Sequence, residues 1–430
     1  MNSSEKLRIL LECRSVTPGT SCGIENFIYS LVRGWKRILP NDELFLNIPP
    51  GTRASYVAML GNGITYLEDP VISSYRALSR RSKTVRCLVG CCRRINRRLA
   101  EIVEGPRAAW ARQCEQGVDA VVYPFQRDRL LHWKKPQLLV MHDFYDFEMP
   151  MADPRLRSLE ASNLTLARAI VTSWPGPFRS LHRFFPDRID DSFMVPFTFD
   201  SPPLEAELRG PFEGRTLLYA ASTASHKNHE NLVRGLGFLK RRGHALVRVI
   251  CTGAHEVKRL KTITRVAEME RVKDWIEFRG FLPYEEIRRL YRTVAGVVAP
   301  SRYEALSGAV LEGLQFGRPV ACSRITSHVA FSELLGLQPR YFDPESPEEI
   351  AKAISDILEN QQTYRRESMN ARSVLSGITQ AGTVRQYREI LEWICDRAPK
   401  PTWHPYVSLN RTARCNTNRG CAVASAKFRE

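Results

Sequence analysis

Gly296 to Val320 reads GVVAPSRYEALSGAVLEGLQFGRPV. It opens with an apolar run that ends at Pro300, passes through a polar loop carrying Glu304, and enters a predicted helix at about Ser307 or Gly308. Gly317, followed two residues later by Pro319, suits the end of that helix. Strand, loop and helix in this order bring the free amides of a helix N-terminus to the carboxyl end of a strand, where an open α/β sheet binds phosphate. Glu304 lies on the loop, and Glu312 lies one turn inside the helix on the face of Gly308. One carboxylate is then expected beside an anionic ligand, and the other further back, where it can accept hydrogen bonds from hydroxyls.

Two glutamates seven residues apart in this setting resemble the Glu-x7-Glu motif of retaining glycosyltransferases, and PSRYEALSGAVLEGLQFGRPVACS is similar to the corresponding stretch of glycosyltransferase family 4. The resemblance extends over about residues 6 to 397 and is weaker between 45 and 118. It implies the GT-B fold, two Rossmann-like doubly wound α/β domains facing a central cleft. The expected division is an N-terminal acceptor-binding domain over 1–198, a linker over 199–214, a nucleotide-sugar-binding domain over 215–376, a helix over 377–397 crossing back to the first domain, and a flexible basic tail over 398–430. One departure from the family stands in the loop: where a Gly-aromatic-Gly stretch is usual after the first Glu, this chain has Ala305-Leu306-Ser307.

A chain of 430 residues exceeds one ordinary core, so two domains are the prior. No apolar run approaches the roughly 18 residues needed to span a bilayer, and MNSSEKLRILLECRS lacks a signal-peptide layout. The expectation is a cytoplasmic protein. Its 11 cysteines are odd in number and show no repeated C-x2-C spacing, which argues for reduced, mostly buried thiols rather than a zinc site. The net charge of +17 calls for an anionic partner, but no RNA-binding or helix-turn-helix signature accompanies it, so no specific nucleic acid is expected. Placed on a helix over 86–103, Leu88, Cys91, Cys92, Ile95, Leu99 and Ile102 form one stripe, and Arg86, Arg93, Arg94, Arg97 and Arg98 gather opposite. That helix either packs on its own domain or attaches to the anionic inner face of a membrane, each basic side chain adding about 1 kcal/mol before screening.

Along the chain, Leu7 to Cys13 reads as a strand followed by a turn-rich loop and a helix from about Ile24 to Ile38. Gly23-Ile24-Glu25 resembles the family element beside the donor phosphates; a tight turn is the alternative. The segments 119–123 and 137–141 are two further buried strands, and the second ends at His142, which a parallel strand would point at the cleft. On fold grounds alone His142 would be a satisfied structural histidine; the segment VMHDFYDFE is similar to the family's His-Asp segment, and that resemblance implies a sugar contact at His142. A strand over 215–220 leads to Ser222 and then HKN, where Lys227 resembles the family lysine that neutralises the donor diphosphate. Where many members carry Arg soon after this strand, Ser222-Thr223 stands here. Phe281 and Leu282 fall in the segment that in the family lies beside the nucleotide base.

The resemblance implies transfer of a hexose from a nucleotide-diphosphate sugar, GDP-mannose ahead of a UDP-sugar, to a sugar or lipid-linked acceptor in cell-surface polysaccharide or glycoconjugate synthesis. The catalytic set is then Glu304, His142 and Lys227, and the donor-binding set is Gly23, Ser222, Lys227, Phe281, Leu282, Glu304, Leu306, Ser307, Gly308 and Glu312. No Asp-x-Asp segment is placed to hold a metal beside the diphosphate, so neither metal nor cofactor is expected. Two alternatives stay open: a nucleotide-sugar epimerase or hydrolase on the same fold, and a degenerate, non-catalytic scaffold at the membrane.

Overall fold

The computed structural model describes residues 5–18, 22–68, 114–131, 133–149, 152–197 and 213–402. The basic helix expected over 86–103 lies outside these residues, as do most of the expected linker and tail. Among the described residues no helix is long and apolar enough to cross a membrane.

The chain forms two sheets with the same winding. The first is built from β1 (Arg8–Glu12), β2 (Glu43–Ile48), β3 (Thr65–Glu68), β4 (Ala120–Tyr123), β5 (Gln137–Met141), β6 (Ala169–Thr172) and β7 (Ser192–Met194), in the order β3-β2-β1-β4-β5-β6-β7. Every recorded pairing is parallel. Helices α1 (Cys22–Ile38), α2 (Arg53–Leu60), α3 (Tyr145–Glu148), α4 (Pro154–Leu166) and α5 (Pro175–Phe184) accompany it. Strands β4, β5 and β6 are buried along their whole length, as a parallel sheet covered on both faces requires. Strands β2 and β3 were not expected from sequence; they are short and lie on the edge half of the sheet, where hydrophobic periodicity is weakest.

The second sheet holds β8 (Glu213–Ala220), β9 (Arg248–Thr252), β10 (Ile276–Gly280), β11 (Val294–Ala299), β12 (Val320–Ser323) and β13 (Arg340–Phe342), in the order β10-β9-β8-β11-β12-β13. Its helices are α6 (His229–Arg241), α7 (Val257–Met269), α8 (Tyr284–Thr293), α9 (Gly308–Gln315), α10 (Thr326–Leu335), α11 (Pro347–Glu359) and α12 (Gln361–Ser376). Strand β8 begins two residues before the expected start at Arg215, and α12 was not anticipated. In each sheet the winding reverses beside the first strand, between β1 and β4 and between β8 and β11, so each domain has a switch-point crevice at its carboxyl edge.

A last helix, α13 (Gln380–Ile394), leaves the second domain and completes the core of the first. Val384, Tyr387, Ile390, Leu391 and Ile394 are buried in the cluster that contains Leu11, Phe27 and Trp35. Gln380 Nε2 donates to the Ser30 carbonyl at 2.7 Å, and Arg388 Nη1 reaches both oxygens of the buried Asp42 at 3.2 and 3.0 Å. The thiols described at Cys13, Cys251 and Cys322 are free and buried.

One buried acid departs from ordinary behaviour. Glu160 on α4 is 0% exposed. Burial, with Asp143 and Asp146 adding repulsion, pushes its carboxyl up to about 8 against the opposing pull of Arg127. The folded chain therefore keeps a proton that the unfolded chain releases above the ordinary value, and stability should fall as pH rises between about 4.5 and about 8, by at most about 5 kcal/mol. Glu160→Gln, neutral at every pH, should flatten this slope; thermal unfolding of both proteins at pH 5.5 and 8.5 checks it, and an unchanged slope would assign the effect elsewhere.

Candidate active site

The switch-point crevice of the second sheet holds a buried polar knot. Lys227 follows β8 and closes a short 3-10 turn, and Glu304 lies on the loop after β11. Lys227 Nζ donates to both Glu304 carboxylate oxygens at 2.7 Å, with the two side chains only 19% and 7% exposed. Ser301 Oγ donates to Glu304 Oε1 at 2.6 Å, and the Tyr219 hydroxyl reaches Ser301 Oγ at 2.9 Å and the Lys227 carbonyl at 2.8 Å. Asn228 holds the turn from the other side. It adopts a left-handed backbone at φ 60°, unusual for a residue with a Cβ, and its Nδ2 donates to the Pro300 and Pro344 carbonyls at 3.0 and 2.7 Å.

Helix α9 starts where the sequence suggested. Ser307 caps it, accepting from the Val310 amide at 3.4 Å, and Gly317 ends it at φ 62°, the left-handed region that favours glycine. By helix geometry the first amides, those of Gly308 and Ala309, have no intrahelical acceptor. Gly308 is exposed, and a Cβ added there would meet open space. Glu312, one turn in, is half-buried; burial pushes its carboxyl up to about 7 against a hydrogen bond from Tyr291.

The first domain supplies the opposite wall. His142 follows β5, its ring edge-on to Phe27 at 4.9 Å, and its Nε2 lies 2.7 Å from the Pro124 carbonyl. A carbonyl only accepts, so the proton sits on Nε2 and Nδ1 is left as an acceptor. Burial keeps the imidazole below its usual range, against the opposing effects of Pro124 and Asp143. Across the cleft, the Phe144 amide donates to the Tyr303 hydroxyl at 2.7 Å, and the Tyr145 ring stands edge-on to Tyr303 at 5.2 Å and to His226 at 5.6 Å. Trp174 packs edge-on to Phe331 at 5.2 Å.

Thus Glu304, Lys227, Ser307 and Gly308 meet at one crevice, with Glu312 behind and His142 on the facing domain. Leu306 is half-buried against the second core. Ser222 is also half-buried, on the loop after β8, and Leu282 half-buried after β10. Phe281 projects into solvent at 70% exposure. Gly23 sits in the first turn of α1, and a Cβ there would meet nothing within 4 Å, so packing does not demand glycine at that position. Tyr219, Ser301, Tyr145 and His328 were not singled out from sequence. His328 on α10 is buried, with Nδ1 2.8 Å from the Ser323 carbonyl; burial keeps its imidazole below the usual range, against the opposing pull of Glu304. Among the described residues no group of three or more His, Cys, Asp or Glu side chains is arranged to hold a metal ion.

Residues 204–374 match the model of the family described as glycosyl transferases group 1. The chain is 24% identical over 215 residues to mannosylfructose-phosphate synthase of Agrobacterium fabrum, covering 48% of this chain and 46% of that protein. It is 25% identical over 245 residues to O-antigen chain mannosyltransferase B of Escherichia coli, covering 54% and 63%. The chain thus spans about half to two thirds of the length of these relatives. Among solved structures, sucrose-phosphate synthase of Thermosynechococcus elongatus superposes with a TM-score of 0.69 at 14% identity, over 91% of this chain and 100% of that one. Anabaena HepE in complex with UDP and glucose superposes with a TM-score of 0.66 at 14% identity, over 90% and 99%. The fold is GT-B: two Rossmann-like domains facing across a cleft.

The closeness of the two walls rests on Gly176 of α5. A Cβ there would lie 2.9 Å from Ser327 Cα and 3.2 Å from the Ala305 carbonyl oxygen, both backbone atoms of the other domain. Gly176→Ala should therefore push the domains apart. Hydrogen exchange checks this: the Phe144 amide, which bonds across the cleft, should exchange faster, while amides of β8 keep their protection.

Proposed function

We propose that this chain is a retaining glycosyltransferase that moves a hexosyl group from a nucleotide-diphosphate sugar to a hydroxyl of a sugar or lipid-linked acceptor. The observation that carries the reading is the part-buried Lys227–Glu304 pair at 2.7 Å, set at a switch-point crevice beside the capped N-terminus of α9. The family match over 204–374 includes all three parts. HepE, whose structure holds UDP and glucose, supports a nucleotide-diphosphate donor, and the two relatives with mannosyl names support GDP-mannose ahead of a UDP-sugar.

In this mechanism the bond between the anomeric carbon and the donor's terminal phosphate oxygen breaks as the acceptor oxygen attacks from the same face. The acceptor proton passes to the leaving phosphate oxygen, so the linkage forms with retained configuration. Lys227 and the α9 amides at Gly308 and Ala309 stabilise the charge gathering on the diphosphate, an electrostatic contribution that is strongest in a crevice shielded from water. Glu304 positions the donor sugar, Glu312 accepts from ribose hydroxyls, and His142 offers Nδ1 to a sugar hydroxyl from the opposite wall. Ser222, Gly23, Phe281 and Leu282 complete the donor contacts. The reaction calls on no metal or cofactor, and cell-surface polysaccharide or glycoconjugate synthesis is the setting that fits such an acceptor. Attachment of the 86–103 segment to an anionic membrane would bring a lipid-linked acceptor within reach.

Thermal stabilisation by GDP, GDP-mannose, UDP and UDP-glucose tests the donor, since a ligand at about a hundred times its Kd adds about 2.7 kcal/mol. A shift with the guanosine pair alone is expected; a shift with uridine compounds instead would replace the sugar nucleotide and leave the mechanism. Either Glu304→Ala or Lys227→Ala should lower turnover by roughly a hundredfold, about 3 kcal/mol of transition-state stabilisation. Near-normal transfer by both would remove this site.

Glu312 adds a pH signature. Its carboxyl, held at about 7, accepts from hydroxyls best when ionised, so donor affinity should strengthen from pH 6 to pH 8. Calorimetric titration at both pH values should show this in the native protein and lose it in Glu312→Gln.

A further inference from the structure

Lys227 is not a waiting cation. Its ammonium faces both oxygens of Glu304 at equal distances of 2.7 Å, in a contact that is 19% exposed on one side and 7% on the other. Ser301 fixes the carboxylate and Tyr219 fixes Ser301, so the acid is braced against turning away. The buried Tyr219 and Ser301 are both 0% exposed, and Asn228 pins the turn that presents the lysine. An anion arriving at Lys227 therefore meets a site whose positive charge is already matched, and a braced negative charge within one side chain's reach.

We propose that Glu304 has a second role: it competes with the diphosphate for Lys227 and so weakens retention of the nucleoside diphosphate left after transfer. This rests on the reading of the crevice as a diphosphate site. The argument is one of charge. A nucleotide sugar carries its diphosphate as a diester, whereas the nucleoside diphosphate released from it gains a further ionisable oxygen and, near neutral pH, additional negative charge. The carboxylate repels the more highly charged product more than the donor, while the ammonium attracts both. Glu304 then works against product as well as for the transition state, and the pair resets to its closed contact when the product leaves.

Isothermal titration of the full chain with GDP, UDP, the matching nucleotide sugars and inorganic pyrophosphate tests this. Glu304→Gln keeps the shape and removes the charge; it should bind the nucleoside diphosphate about tenfold more tightly than the native protein, pyrophosphate by a similar factor, and the nucleotide sugar by a smaller one. Lys227→Met should weaken all of them, and the gain from Glu304→Gln should vanish in the double variant, because there is nothing left to compete for. Glu304→Asp, which shortens the reach by one methylene, gives a second, intermediate gain if Glu304→Gln does not fold. Equal or weaker binding of product by Glu304→Gln, with the native protein binding it measurably, overturns the second role alone. No binding of any diphosphate by the native protein overturns both this role and the glycosyl-transfer reading beneath it.

Discussion

An ammonium and a carboxylate held at 2.7 Å with little exposure cost desolvation that their mutual attraction alone repays poorly. Such pairs persist where surrounding groups satisfy what remains of their hydrogen bonding; here Ser301 donates to the carboxylate, while Tyr219 and Asn228 hold Ser301 and the lysine turn in place. Much of the second domain is arranged to make that possible. The backward turn at Asn228 needs the carbonyls of Pro300 and Pro344, which come from the loops after β11 and β13. The Arg302 amide donates to the His226 carbonyl at 2.7 Å, tying the Glu304 loop to the Lys227 turn. Three strand ends thus converge on one ion pair, as a parallel sheet at its switch point allows and an antiparallel hairpin would not.

The facing domain acts through shape as much as through charge. It contributes the Phe144 amide to the Tyr303 hydroxyl, the Tyr145 ring wedged between Tyr303 and His226, the Trp174 ring against Phe331, and Arg179 paired with Glu333. The close approach of α5 to α10 is set by the missing side chain of Gly176.

What could be read in advance followed the range of the interactions. Ser307, Gly308 and Gly317 are local signals: a cap, a first turn and a left-handed stop, each decided within a few residues, and all stand where the sequence put them. Lys227 and Glu304 were each readable within their own strand-loop-helix units, but their pairing, across 77 positions, was not. Tyr303 to Phe144, at a separation of 159, carries no comparable local mark, since a tyrosine in a loop and an amide at a strand end look ordinary until the domains face one another. Strands β2 and β3 were missed for a different reason: unlike the equally short β4, they carry exposed and half-buried positions that break the apolar run.

Helix α13 has a consequence for how the chain is made. Its stripe from Val384 to Ile394 fills the same core as Leu11, Phe27 and Trp35, while Asp42 waits for Arg388. A ribosome releases Leu11, Phe27 and Asp42 long before Val384 and Ile394. The first domain emerges with part of its apolar face uncovered and with Asp42 held by the Leu7 amide and Trp35 Nε1 but lacking its cation, and its core is complete only when the helix has cleared the exit tunnel. The first domain therefore reaches its complete core only once the last helix has been made, and part of its apolar face stays uncovered until then.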